Sequence, residues 1–192
     1  MYLKMNKKEA KKYGNRLYKE WLLKLTRSEI TSLQKYKGIL IISNYKKINS
    51  SLRNGSKRHC ENEINNISAA IKKSTIDQDI ICIRNSSVKF LEFNGYTINS
   101  ISKGDILVEK GFMSTYLFKP ISRCTTKLVL IIRVPKGTHG AYINNILPWW
   151  SGNKSEYEII FDKDTKLQVI DKKAIRNRIY LEVEIIKNGG AC

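Results

Sequence analysis

Apolar residues recur at helical spacing through the first third of the chain, with polar residues between them. This spacing predicts four helices, whose apolar stripes are Tyr13, Leu17, Trp21 and Leu25; Ile30, Leu33 and Tyr36; Tyr45, Ile48 and Leu52; and Ile64, Ile67 and Ile71. Thr26 and Glu29 have the spacing of a capping box, which predicts the start of the second helix. Gly38 predicts the end of that helix, because glycine readily adopts the left-handed conformation found there.

The pattern changes near Asp79, where short runs rich in Ile and Val begin, bounded by Gly, Asn, Ser and Asp. We predict strands at residues 79–84, 105–109, 111–115, 127–134, 156–161, 166–170 and 178–186. Helices followed by strands predict an α+β fold with largely antiparallel sheets. Because no linker or repeat interrupts the chain, we expect a single domain over residues 1–192, with a helical part at about 6–75 and a β core at about 79–187.

The formal net charge of the chain is +18. Such a charge favours an anionic partner, namely a nucleic acid, a membrane surface or an anionic cofactor. The abundance of Lys, Ile and Asn also fits the nucleotide bias of an AT-rich genome, so both interpretations stay open. No run of roughly 18 apolar residues predicts a membrane span, and the start MYLKMNKKEA lacks the apolar stretch of a signal peptide. The 4 cysteines form no CxxC pair and the 2 histidines lie far apart, so we expect neither a metal site nor a required disulfide.

Candidate chemistry lies on three of the predicted strands. Glu156 and Glu158 are two positions apart at the start of one strand, so their side chains should share a face. Mutual repulsion between two such carboxylates is expected to raise the pKa of one and leave the other ionised. One could then act as an acid or base, and the other could act electrostatically. Arg84 ends another strand, where its planar fork suits a pyrophosphate. Ser114 and Thr115 lie on a third strand, where a hydroxyl can hydrogen-bond a carboxylate. Each feature alone also fits an ordinary surface or strand residue.

Together, and in the chain order Arg84, then Ser114 and Thr115, then Glu156 and Glu158, these features resemble the clostridial and bacillary ADP-ribosyltransferase toxins. That family includes the actin-modifying binary-toxin enzymes and the single-domain C3-like exoenzymes. Three further stretches are similar to it: YKEWLLKLTRSEITSLQKY at 18–36, YKKINSSLR at 45–53 and IIRVPKGTHGAYI at 131–143. The resemblance extends from about residue 10 to residue 187. It implies an ADP-ribosyltransferase fold, in which N-terminal helices pack on a two-sheet, mainly antiparallel β core with an NAD cleft between them.

The resemblance also implies roles for residues at matching positions. Glu158 would bond the nicotinamide-ribose hydroxyls and stabilise the cation that forms as nicotinamide leaves, and Ser114 would orient Glu158. Arg84 would grip the NAD phosphates, with Arg53 as a second cation. The other expected NAD contacts are Tyr45, Asn49, Asn85, Gly111 and Thr115.

Glu156 would accept the proton of the incoming acceptor. In the family, Glu at this position goes with arginine targets, whereas Gln goes with asparagine targets or guanine bases. A guanidinium stays charged until it attacks, so it needs a base within hydrogen-bond reach, and Gln could not serve as that base.

Some stretches depart from the family pattern. Tyr116 stands where the family usually has serine. The segment 144–155, which in the family recognises the protein substrate, is longer than usual. Trp149 and Trp150 there are expected either to contact the target or to close the loop onto the sheet. Residues 116–126 would form the loop over the phosphates and nicotinamide, with Phe118 and Arg123 as candidate NAD contacts.

The sequence thus predicts a mono-ADP-ribosyltransferase that uses NAD as co-substrate and modifies an arginine of a host protein, with actin first and a small GTPase second. We expect some NAD glycohydrolase activity, no metal, and a secreted monomer that acts in the host-cell cytosol, with a translocation component as a further partner. Three alternatives remain: ADP-ribosylation of a nucleic acid, a non-catalytic basic nucleic-acid-binding domain, and a degenerate enzyme that serves another subunit as an adaptor.

Overall fold

The computed structural model of the protein describes residues 1–38, 44–56, 60–119, 126–147 and 157–187. Within them, the helices are α1 (Lys7–Leu22), α2 (Arg27–Lys37), α3 (Tyr45–Arg53), α4 (Glu61–Lys72) and α5 (Lys89–Glu92). The strands are β1 (Ile80–Ser86), β2 (Ile106–Glu109), β3 (Met113–Tyr116), β4 (Leu128–Val134), β5 (Gly140–Tyr142), β6 (Glu158–Phe161), β7 (Thr165–Ile175) and β8 (Arg178–Ile185).

Capping side chains set the starts of the first two helices. The Asn6 side chain accepts hydrogen bonds from the backbone N–H groups of Lys8 and Glu9, and Asn6 N–H donates back to the Glu9 carboxylate. Thr26 and Glu29 form the same reciprocal box at the start of α2, as the sequence predicts. The four predicted helices are confirmed. The short α5 was not predicted, because a single turn has no apolar periodicity to read.

The eight described strands form one hydrogen-bonded sheet in the order β2-β7-β8-β4-β1-β3-β6-β5. Neighbouring strands are antiparallel except β4 and β8, which are parallel. The α+β class with mainly antiparallel strands is therefore confirmed. The expected two sheets are two halves of this one sheet, because β1 and β3 join them through the registered pair Ile83 and Tyr116. The other half of that β1 edge is taken by the N-terminal segment, where Leu3 N–H donates to Asp79 O (3.0 Å) and Ile81 N–H donates to Leu3 O (2.9 Å).

Two apolar clusters lie on opposite faces of the β3–β6 half. One contains residues from both halves of the sheet, such as Cys82 and Phe161. The other joins the helices to the sheet through residues such as Trp21 and Ile160. Since side chains alternate along a strand, Glu158 projects on the same face of β6 as Ile160, toward the helical layer.

The short strand β5 was missed in the sequence and depends on two close approaches. A Cβ on Gly140 would lie 2.6 Å from the ring of Phe161, and a Cβ on Gly14 of α1 would overlap the ring of Tyr142. Glycine at both positions lets α1, β5 and β6 pack together. A three-residue strand that contains glycine gives no alternation to detect.

The strand boundaries lie within about two residues of the prediction except at the end of β7. β7 continues to Ile175, whereas the prediction ends at residue 170. The outer part of β7 is exposed and follows an irregularity between Val169 and Asp171, so its sequence lacks the regular apolar alternation that predicts a strand. In the described part of the chain, β6 begins at Glu158 and not at residue 156. No helix among the described residues is both long enough and apolar enough to cross a bilayer.

Candidate active site

A cleft of ≈ 680 Å³ opens between the helical layer and the centre of the sheet, with walls from α2, α3, β1, β3 and β6. Among the residues predicted from the sequence, those that line it are Tyr45, Asn49, Arg53, Arg84, Asn85, Ser114 and Glu158. Residues that are far apart in the chain therefore share one groove. The positions of Arg84 on β1 and Glu158 on β6 agree with the expected arrangement, in which both face one cleft.

Glu158 is the first residue of β6 and is 8% exposed. The Ser114 hydroxyl donates a hydrogen bond to its Oε1. Ser114 pairs with Ile160 in the β3–β6 register, so it lies diagonally across from Glu158 on the same face. Lys37, the last residue of α2, donates from Nζ to Oε2 at 2.5 Å. Both oxygens of this nearly buried carboxylate are thus engaged by donors, as a buried charge requires.

Arg84 and Arg53 enter the cleft from different elements and meet at a third side chain, Glu109. Arg84 Nη2 donates to Glu109 Oε2 at 2.6 Å, and Arg53 Nε donates to Oε1 at 3.0 Å. Burial lowers the pKa of Arg84; Glu109 acts in the opposite direction, and nearby Arg53 adds to the lowering. Arg84 also approaches the backbone oxygen of Ser114 at 3.5 Å, which brings the arginine pair close to the strand that carries Ser114.

Asn49 clamps α3 to the start of β3. Its Oδ1 accepts from Phe112 N–H at 2.9 Å, and its Nδ2 donates to the Tyr36 hydroxyl at 3.1 Å. Gly111 allows this contact, since a Cβ there would lie 2.9 Å from Asn49 Oδ1. Gly111 is therefore not among the residues that line the cleft, but its lack of a side chain lets Asn49 pack there.

Tyr45 and Asn85 are two further predicted NAD contacts that line the cleft. Tyr45 is 44% exposed at the start of α3. Asn85 Oδ1 is buried and has no hydrogen-bond partner among the residues that the structure describes. A buried acceptor of this kind suits a ligand donor.

Thr115 is not brought to the cleft. It is fully buried on the opposite face of β3, and its hydroxyl donates to Ile159 O at 3.0 Å. Strand alternation explains this, because adjacent residues point to opposite faces and Ser114 faces the cleft. Phe118 also lies away from the cleft, packed edge-on against Tyr157 with ring centroids 6.3 Å apart. Tyr116, by contrast, lines the cleft.

The residue before Glu158 lies outside strand β6. Tyr157 has a φ of 49°, in the left-handed region, and its backbone N–H donates to Asn144 Oδ1 at 3.1 Å. Strand alternation in β6 therefore begins at Glu158, and a shared face for Glu156 and Glu158 stays a prediction. Glu156, Trp149, Trp150 and Arg123 lie outside the described residues.

Lys37 and Glu109 were not identified from the sequence. A lysine at the end of a helix is ordinarily explained by the helix dipole, so Lys37 carried no signal of its own. Glu109 did give a signal in the sequence, because it ends the short apolar run ILVE. A carboxylate is rarely buried unless it has a charged or hydrogen-bonding partner. Among the described residues, no three His, Cys, Asp or Glu side chains gather as metal ligands.

Comparisons with solved structures show the same fold in known toxins. Plx2a, an ADP-ribosyltransferase toxin from Paenibacillus larvae, superposes with a TM-score of 0.81 at 22% identity, over 97% of this chain and 100% of that one. C3stau2 from S. aureus, solved with NAD, superposes with a TM-score of 0.77 at 20% identity, over 98% of this chain and 99% of its own. BECa, an ADP-ribosylating toxin of a binary enterotoxin of C. perfringens, solved with NADH, gives 0.75 at 26% identity, over 92% of this chain and 48% of its own.

No curated protein matches the sequence. The sequence model of the ADP-ribosyltransferase exoenzymes matches residues 10–188, which is nearly the whole chain. The chain belongs to the ADP-ribosyltransferase exoenzyme family.

Proposed function

We propose that the protein transfers ADP-ribose from NAD to an arginine side chain of a host protein and releases nicotinamide. The observation that carries the proposal is the carboxylate of Glu158, held by Ser114 and Lys37 in the same cleft as Arg84 and Arg53. A fixed anion suits the cation that develops when nicotinamide leaves, and a pair of guanidinium groups suits the pyrophosphate of NAD.

The cleft suits NAD chemically. Two guanidinium groups match a pyrophosphate, since each offers several N–H donors in a planar fork. Within the described ranges, Asn85 offers a buried acceptor without a hydrogen-bond partner, and Tyr45 offers a 44% exposed residue in the cleft lining for a base or ribose. Two relatives with this fold, C3stau2 and BECa, have been solved with NAD and NADH.

The reaction breaks the N-glycosidic bond between nicotinamide and ribose. The bond's electron pair leaves with nicotinamide, so positive charge develops on the ribose, as it does in glycoside hydrolysis. The carboxylate of Glu158 stabilises this charge and accepts hydrogen bonds from the ribose hydroxyls. Ser114 keeps the carboxylate oriented, so little reorganisation is needed as the charge forms.

An acceptor then attacks the ribose carbon. For an arginine, a guanidinium nitrogen forms the new bond and loses its proton to a base. We assign this base to Glu156, whose type and position in the sequence favour arginine acceptors. Water captures the same cation at a lower rate, which gives slow NAD hydrolysis.

We further propose that the target is a host cytosolic protein, either actin or a small GTPase, and that Trp149 and Trp150 contribute to its recognition. Support comes from the family, whose structural relatives include toxins such as Plx2a. BECa belongs to a binary enterotoxin, so a separate translocation component is a further candidate partner. The protein would be secreted and would act inside the host cell as a monomer, in the single-domain arrangement expected for residues 1–192.

The acceptor is tested by incubating the protein with labelled NAD and, separately, purified actin, a Rho-type GTPase and duplex DNA. We expect label on one of the two proteins, and mass spectrometry of the labelled peptide should find ADP-ribose on arginine. Label on asparagine would contradict the role of Glu156. Label on DNA would favour a nucleic-acid acceptor, which the charge of +18 permits.

A further inference from the structure

Glu109 is a carboxylate at the end of β2 that is only 2% exposed and does not itself line the cleft. It accepts three hydrogen bonds: from Arg84 Nη2 at 2.6 Å, from Arg53 Nε at 3.0 Å and from the backbone N–H of Gly111 at 3.0 Å. Its two oxygens are shared among these donors. The bond to Gly111 fixes the carboxylate to the turn between β2 and β3.

The two arginines need such a partner because they come from separate elements and carry like charge. Arg84 lies on β1 and Arg53 on the last turn of α3, with side chains 13% and 34% exposed. Nearby Arg53 lowers the pKa of Arg84, whereas Glu109 raises it, so the carboxylate offsets the repulsion between the two cations. Without it, the two guanidinium groups would tend to separate.

The contacts also leave donors available. Among the residues that the structure describes, Arg53 is bound by Glu109 only through Nε, so its terminal nitrogens can bind a ligand. Glu109 binds Arg84 through Nη2, while Arg84 Nη1 makes the long 3.5 Å contact with Ser114 O. Both side chains line the cleft, so their remaining N–H groups are held toward one region of it.

We propose that Glu109 is a positioning residue, which holds Arg84 and Arg53 in a shared orientation that fits the pyrophosphate of NAD. This inference rests on the proposed function, because it assigns the two arginines to NAD. Glu109 acts through the arginines and does not touch the reacting atoms. Its effect therefore belongs to NAD binding and not to bond cleavage.

The test measures NAD affinity by calorimetry and steady-state NAD hydrolysis for the wild type and Glu109→Gln. Gln keeps the shape of the side chain but replaces one acceptor oxygen with a donor and removes the charge. We expect the dissociation constant and KM for NAD to rise about tenfold, the loss expected for one weakened charge-assisted hydrogen bond, while kcat changes less than about threefold. A lower melting temperature with unchanged KM would show that Glu109 is merely structural.

A double-mutant cycle shows whether Glu109 acts through Arg53. In an Arg53→Met background, Glu109→Gln should raise the NAD dissociation constant by a smaller factor than in the wild type. Equal factors in the two backgrounds would overturn that part of the inference. The control is Glu182→Gln, which removes the charge from an Arg–Glu pair outside the cleft, where Arg133 Nε lies 2.8 Å from Glu182 Oε1. This control should leave KM unchanged.

A second variant covers a folding defect. If Glu109→Gln does not fold, Glu109→Asp keeps the buried charge but is too short to reach both arginines, so KM should still rise. An unchanged KM in Glu109→Asp would overturn the proposal. Wild-type protein that does not bind NAD would contradict the proposed function, whereas wild type and Glu109→Gln with equal NAD affinity would overturn the role of Glu109 alone.

Discussion

At the scale of single residues, the two oxygens of Glu158 have donors of different kinds. The Ser114 hydroxyl is neutral, so it orients the carboxylate without cancelling its charge. The Lys37 ammonium is charged, and its side chain is only 5% exposed, so it stabilises the buried anion in the folded protein. The two donors therefore divide orientation and charge compensation between them.

Replacing Ser114 with Ala removes the orienting donor and leaves the charge of Glu158 in place. We expect kcat for NAD hydrolysis to fall about tenfold, the cost of one hydrogen bond to a charged group, with little change in KM. The matched control is Ser68→Ala, because Ser68 donates to the Asp162 carboxylate at 2.6 Å outside the cleft. Equal kcat values in the two variants would remove Ser114 from the catalytic set.

Glu156→Gln separates the two halves of the reaction. If Glu156 is the base for the acceptor, the variant loses arginine modification but keeps most of the NAD hydrolysis, since water needs less help to lose its proton to solvent. Both rates are measured on one preparation with labelled NAD. An equal loss of both activities would show that Glu156 acts earlier, on the bond to nicotinamide.

The site residues that belong to a local sequence motif could be predicted from the sequence. Those whose role depends on a contact with a residue distant in the chain could not. Arg84, Ser114 and Glu158 belong to recognisable strand patterns, and they line one cleft. Lys37 meets Glu158 across a separation of 121 residues. A single sequence holds no information on such a pairing, and the same holds for Glu109 with the arginines.

At the scale of elements, local rules predicted what local interactions determine. Apolar stripes located the four longer helices, and the capping box of Thr26 and Glu29 located the start of α2. Tertiary contacts determined the rest: β5 depends on Gly140 beside Phe161, and the end of β7 depends on pairing with β8. The left-handed backbone at Tyr157 likewise depends on Asn144, which is distant in sequence.

Gly14→Ala tests the packing of α1 on β5. Alanine in a helix is ordinarily stabilising by about 0.5–1 kcal/mol relative to glycine. Here the new Cβ would overlap the ring of Tyr142, so we expect a net loss of about 1–3 kcal/mol in the free energy of unfolding. Chemical denaturation measures it. Truncating the ring with Tyr142→Leu should make the added effect of Gly14→Ala much smaller, and a stabilising effect of Gly14→Ala alone would contradict the packing.

At the scale of the whole molecule, the two apolar clusters are joined by residues that belong to the helical layer and to the sheet. Tyr18 packs against both apolar clusters, and β6 contributes Ile159 to one and Ile160 to the other. The net charge of +18 favours encounter with an anionic ligand such as a dinucleotide. Charge alone does not identify the protein target.

The shared cores predict that the protein unfolds as one cooperative unit. Thermal unfolding followed by far-ultraviolet circular dichroism and by tryptophan fluorescence should give coincident transitions. NAD should raise the midpoint, because a ligand that binds the folded state stabilises it. Two separate transitions would show that the helical part and the β core are independent domains.

The central claim is that the carboxylate of Glu158 stabilises the cation formed when nicotinamide leaves. The most direct measurement compares Glu158→Gln with the wild type in NAD hydrolysis, arginine transfer and NAD affinity. The variant should lose at least about 10²-fold in both rates while its NAD dissociation constant changes less than about threefold, since the charge acts on the transition state. Near-wild-type rates in a folded Glu158→Gln protein that binds NAD would contradict the claim.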